Sequence, residues 1–186
     1  MTPLERALGL IDAANAADPD LIEGHPAALL YGVRMSDELA RQFPEASEVL
    51  QIAARGQHVE RWLLPRADFP QGKAGYLAWR IEQGRRHALR VAGIMAQAGY
   101  GAQDCERVSI LLRKQGLKRD AEVQALEDVI CLVFLRWYFA RFSAGREDIE
   151  DIVAKTARKM SAEARARVLA EFDLPQTLAQ AVRAAG

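Results

Sequence analysis

Three side chains far apart in the sequence are of types that hold a metal ion or move a proton, and each falls on an otherwise apolar helix face. Asp128 heads a stripe continued by Leu132, Leu135, Phe139 and Phe142, so the spacing predicts a buried carboxylate. Such a group is costly to bury unless a metal ion, a Lys or Arg, or several hydrogen bonds meet it. His87 shares a stripe with Val91, Ile94 and Ala98 and is expected to point inward too. His58 closes a helix behind Leu50 and Ala54, within the run Gln57-His58-Val59-Glu60-Arg61-Trp62. Neutral imidazoles with a carboxylate are the ligand set of Zn, Mn, Fe or Co, so a divalent metal of that group is the cofactor these residues suggest. The plainer reading is a salt bridge for Asp128 and two packed core imidazoles. Glu127, about 100° round the helix from Asp128, reads as an independent group behind the ligands or on the surface.

A second group of residues surrounds the histidines in sequence. Arg61, Trp62 and Arg66 come before a Pro/Gly-rich stretch, and Lys73, Tyr76, Trp79, Arg80, Arg85 and Arg86 come after it. Tyr76, Trp79, Arg80, Gly84 and His87 recur at about one helical turn, on one side of a long helix. Guanidinium forks bind phosphate or carboxylate and stack on aromatic rings, so this set suits an anionic small molecule or a nucleotide. Lys114 is placed to add charge from the next helix, whereas Arg85 and Arg86 read as part of a structural packing seam. The chain as a whole has zero formal charge, from 25 basic and 25 acidic residues. The distribution is uneven: net −6 over 1–50, +7 over 51–118 and −1 over 119–186. A positive middle third can focus potential on an anion, but a neutral molecule is no general polyanion binder.

The elements that must position these residues are helices. Half the residues are hydrophobic and 27% are charged, the balance of a globular chain with a sizeable core. At 186 residues it is expected to form one domain, 1–186. Alternating runs of β-branched and aromatic residues are missing, so no sheet is expected. Helices are predicted from Pro3 to Asn15, after Pro26 (Leu29, Val33, Ser36, Ala40 and Phe43 inward), from Pro44 to His58, from Tyr76 to Ala98, and from Ala102 to Gln115. A central helix from Asp120 to Phe142, apolar nearly all round, is followed by two or three amphipathic helices broken at Pro175. Residues 63–75, with Pro65, Pro70, Gly72 and Gly75, are predicted to be a loop. Cys105 and Cys131 lack zinc or disulfide spacing and are expected to be reduced core residues. No leader pattern opens the chain and no run approaches the ~20 apolar residues of a membrane span, so a cytoplasmic protein without a membrane partner is expected. Phosphate-binding Gly-x-x-x-x-Gly-Lys loops, dinucleotide Gly-x-Gly-x-x-Gly fingerprints and Gly-x-Ser-x-Gly nucleophile turns are all missing.

The order of these features, His58, then His87 in a His-Ala-x-x-x-Ala-x-x-Met context, then Leu126-Glu127-Asp128, resembles the HD-domain superfamily of helical metal-dependent phosphohydrolases. Over roughly residues 3–185 the chain is most similar to the domain-of-unknown-function family numbered 4202, on the stretches Gln-His-x-x-Arg-Trp, Tyr-x-x-Trp-Arg and Leu-Glu-Asp. The resemblance implies an all-α, single-domain, HD-like helical bundle. Against an HD pattern, Tyr31 stands in place of the first histidine and Val59 in place of the aspartate paired with His58. Asp128 holds the last position, and Lys114 falls near another histidine of some subgroups. The likeness thus implies a metal held by His58, His87 and Asp128 that activates water against a phosphorylated small molecule or nucleotide. Glu60 or Glu127 would accept the proton, and Arg61, Arg66, Arg80 and Lys114 would hold the phosphate, beside Trp62, Tyr76 and Trp79. The same ligand triad suits a non-haem iron oxygenase. The competing expectation is a metal-free nucleotide- or RNA-binding module, favoured by the Tyr31 and Val59 departures. Pairing with a second copy of the chain is left open.

Overall fold

The computed structural model describes residues 1–185, and it is all-α apart from one small antiparallel hairpin, Leu21–Ile22 (β1) with His25–Pro26 (β2). The chain divides into two compact units, residues 1–115 and a second beginning at Gly116. Among the described residues, no helix is long and apolar enough to cross a membrane.

In the first unit, α1 (Pro3–Asn15) starts with a reciprocal cap: the Glu5 amide donates to Thr2 Oγ1 (3.2 Å) and the Thr2 amide to Glu5 Oε2 (2.7 Å). The hairpin leads to α2 (Ala27–Gln42), whose N-cap Pro26 has no capping side chain. Buried Asp18 takes that role, accepting from the amides of Ala28 (2.8 Å) and Asp20 (3.0 Å). The third helix, α3 (Glu48–Arg55), begins four residues after Pro44 because Ser47 supplies the cap, its Oγ accepting from the Leu50 amide (3.1 Å). Two 3-10 turns, Arg61–Leu63 and Arg66–Asp68, precede α4 (Gly72–Ala98). That helix stops at left-handed Gly99 (φ 105°), and α5 (Ala102–Leu112) packs back on it.

The buried face of α2 lies one position away from the expected stripe: Ala28, Tyr31, Met35, Leu39 and Gln42 are buried, while Leu29, Val33 and Phe43 are only half-buried. Two buried charges cause the shift. Arg34 is paired with Glu23 (2.7 Å) and Glu38 with Arg41 (2.7 Å), so positions that read as solvent-facing turn inward. Tyr31 is thereby brought into the core.

Helix α4 meets the preceding loop through a backbone approach that only glycine permits. A Cβ on Gly75 would stand 1.9 Å from the Pro70 carbonyl oxygen, a fixed backbone atom. Gly75→Ala is therefore expected to displace the 65–71 loop and to lower stability by roughly 1–2 kcal/mol, read from urea unfolding. Unchanged stability would show that the loop is not held there.

The second unit has its own core, including Leu132, Val153, Met160, Val168 and Val182. It comprises α6 (Ala121–Val133), α7 (Phe139–Ser143), α8 (Ile149–Lys159), α9 (Ala162–Glu171) and α10 (Gln176–Arg183), the last entered through Pro175. Asp120 caps α6 by accepting from the amides of Glu122 (3.0 Å) and Val123 (3.1 Å). The expected uninterrupted helix to Phe142 is broken by a π-helical turn at Phe134–Tyr138. Its wider turn rotates every later residue relative to the α-helical stripe. Leu132 and Leu135 stay buried, whereas Trp137 (49%) and Phe142 (37%) are exposed. Of the cysteines, Cys131 is buried and Cys105 half-buried, and both are free thiols.

Candidate functional site

His58 and His87 come together in the first unit. After α3, the chain makes a tight bend in which the Val59 amide donates to Gly56 O (3.0 Å) and the Arg61 amide to His58 O (3.2 Å). Glu60 adopts a left-handed backbone (φ 50°), a conformation that costs a non-glycine residue and needs support. Asn15, the last residue of α1, provides it: the buried Oδ1 accepts from the Glu60 amide (3.0 Å). Val59 fills the core, where it is 1% exposed. The arm beyond is fastened to α4 by Gln83 Nε2, which donates to Arg61 O (2.9 Å) and Leu64 O (3.1 Å), and by Trp79 Nε1, which donates to Leu64 O (2.9 Å).

The bend lays the half-buried His58 ring on Tyr31, with centroids 3.7 Å apart and planes 11° from parallel. His87, buried on α4, lies 6.3 Å away, tilted by 46°. Tyr31 therefore contributes a ring on which His58 stacks. Burial holds the His58 imidazole well below its ordinary range, and Arg61, His87, Lys114 and Arg80 push it further in the same direction. Burial, then Arg61 and Arg86, lowers His87 to about 3. Both rings are neutral at pH 7, and both sit in a positive field.

Arg61 is the central cation of this field. Its guanidinium lies 4.6 Å over the Trp79 ring, and burial weakens its hold on its proton. It has no carboxylate partner among the described residues. Arg80 reaches out over Tyr76 at 5.9 Å, and Tyr76 and Trp79 lie 5.9 Å apart. Trp62 sits half-buried in the same 3-10 turn as Arg61. Arg66 has a different task from the other cations: it donates to the carbonyls of Phe69 and Pro70 (2.9 Å each) and so ties up the loop. Glu60 is engaged by Arg90 at 3.0 Å. A cavity of about 460 Å³ opens beside Glu60 and His87.

Asp128 and Glu127 belong to the second unit, where each has local partners. Asp128 is buried as expected, and its Oδ1 accepts from the Ser161 amide (2.8 Å) and Gln124 Nε2 (2.9 Å). The carboxylate thus closes the turn between α8 and α9, while the same Gln124 nitrogen donates to Lys159 O (2.9 Å). Burial raises the Asp128 carboxyl above its ordinary range, against the opposing pull of these hydrogen bonds and of Lys118. Buried Glu127 lies 3.9 Å from Lys159 Nζ.

Among the described residues, no three His, Cys, Asp or Glu side chains gather so that they could hold a metal ion. The charges that act on the two imidazoles are all positive, which repels a cation and attracts an anion.

Two contributors escaped the sequence reading. Tyr31 was legible only as a departure from the HD pattern, and Arg86, directly before His87, read as packing. No curated protein and no solved structure matches the chain. The sequence profile of the family described as "Domain of unknown function (DUF4202)" matches residues 5–182, which take in both units, and the chain belongs to that family.

Proposed function

We propose that the first unit binds a phosphorylated small molecule or nucleotide through its anionic group, without a metal, at Arg61, Arg80 and Lys114 around His58 and His87. The observation that carries this reading is the half-buried Arg61 guanidinium, lying over Trp79 with no carboxylate partner among the described residues and set beside two neutral imidazoles. A desolvated cation lacking a counter-ion is costly, and an incoming phosphate supplies that counter-ion. The guanidinium forks would hold phosphate oxygens, and an imidazole N–H would donate to another. The likeness to HD domains then describes inherited positions put to a different use, with Tyr31 stacking and Asp128 closing a turn. The metal-dependent hydrolase and its iron-oxygenase variant rest on the order of His58, His87 and Asp128 in the sequence alone.

Calorimetric titration with orthophosphate and with AMP tests the proposal. Arg61→Gln and Arg80→Gln are each expected to weaken binding about tenfold, the value of one charge-assisted hydrogen bond. Affinities that both substitutions leave untouched would sink it. Metal analysis of protein purified without chelator is the companion measurement. Stoichiometric Mn, Fe, Zn or Co that disappears in His58→Ala would restore the metal centre.

A further inference from the structure

The walls of the cavity beside His87 include three arginines and two glutamates, which sort themselves into pairs. Arg90 is bound to Glu60 (3.0 Å) and Arg85 to Glu82 (2.7 Å). Arg86 is left over: it is half-buried and has no ion pair among the described residues. Next to it in the chain, His87 is 4% exposed, and its buried Nε2 has no hydrogen-bond partner among the described residues. A guanidinium without a counter-ion and an unsatisfied imidazole nitrogen in one cavity are the complement of an anionic oxygen.

This pair is separate from Arg61 and Arg80, which are not among the residues lining the cavity. His87 connects the two, since Arg61 and Arg86 both act on its ring, and the His58 and His87 centroids are 6.3 Å apart. Two anionic groups joined by a covalent link enter both positions together, the second with little further loss of freedom. Resting on the anion-binding reading above, we propose that the ligand of the first unit carries two linked phosphate groups. One sits at Arg61 and Arg80, and the other enters the cavity at Arg86 and His87. A monophosphate fills only the first position and leaves Arg86 without its counter-ion.

The test is titration calorimetry with pyrophosphate and with orthophosphate, free of divalent metal and at fixed ionic strength. Wild type is expected to prefer pyrophosphate by about tenfold or more, the effect of an added charge-assisted contact. Arg86→Gln should abolish that preference, weakening pyrophosphate binding about tenfold more than orthophosphate binding. Arg6→Gln removes an equal charge from the exposed side of α1 and should retain the preference. If Arg86→Gln does not fold, Arg86→Lys replaces it and should lose much of the preference, because the fork is gone while the charge remains. Equal affinity for the two anions in wild type overturns the inference, as does a preference that survives at Arg86 or falls as far in Arg6→Gln. Orthophosphate binding that depends on Arg61, with no pyrophosphate preference, leaves the anion-binding reading intact and sinks this one alone. Failure of both anions to bind sinks both.

Discussion

Alanine at position 128 is expected to destabilise the second unit by about 3 kcal/mol, because it strands the Ser161 amide and leaves Gln124 Nε2 with the Lys159 carbonyl as its one acceptor. Asparagine is expected to behave differently, since its Oδ1 can accept from both donors. The pH dependence of the difference follows from the raised carboxyl. In the unfolded chain Asp128 ionises in the ordinary range, near 3.8, whereas burial delays ionisation in the folded state. Between those two values the folded state holds the extra proton, so wild type loses stability relative to Asp128→Asn as the pH rises through the unfolded value towards the folded one. Urea unfolding followed by circular dichroism at pH 3.5 and pH 7 should therefore show Asp128→Asn gaining on wild type at the higher pH. An asparagine variant as damaged as the alanine one at pH 7 would mean that the negative charge itself is needed, as a metal ligand would need it.

The first unit should respond to acid through its histidines. Lowering the pH from 7 to 5 is expected to cost it about 2 kcal/mol through His87 alone. Unfolded, that imidazole takes up a proton near 6.5, and folded it resists down to about 3. Stability is thus fully present above the unfolded value, drains away as the pH falls through it, and levels off only below about 3. His58 acts in the same sense, because its folded value is also depressed. Phosphate bound beside the rings would favour their protonation and flatten the slope. Urea unfolding of a Trp137→Phe protein measures this, with Trp62 and Trp79 left to report on the first unit. His87→Gln should have a visibly shallower pH dependence, and a slope equal to wild type would show that His87 is not the buried neutral base described here.

Much of the scaffold was legible because local chemistry marks it. Pro3 opens α1, Gly99 closes α4, and Pro175 separates α9 from α10. The inward direction of His58, His87 and Asp128 followed from helical spacing and held for both buried residues, His87 and Asp128. What satisfies them did not follow. The partners of Asp128 are an amide and a glutamine, which leave no charge signature in a sequence. The face of α2 that carries Tyr31 was misjudged by one position because Arg34 and Glu38 are buried there, each paired with an exposed partner, Glu23 and Arg41. The π-helical turn at Phe134–Tyr138 has no residue pattern of its own, so the exposure of Trp137 could not be anticipated. Which arginine near His87 stays uncommitted is likewise decided by tertiary geometry, since Arg85, Arg86 and Arg90 are equivalent as letters and differ only in which of them meets a glutamate.

The reach of Asn15 to the Glu60 amide has a bearing on how the protein is made. A ribosome releases the first helix well before the bend that follows His58, so that bend settles against a brace already synthesised. A shorter product started at Met35 would still contain Arg61, Arg80, Arg86 and Lys114, yet neither the amide that pins Glu60 nor the ring on which His58 lies. It would carry the charges without the means of aiming them.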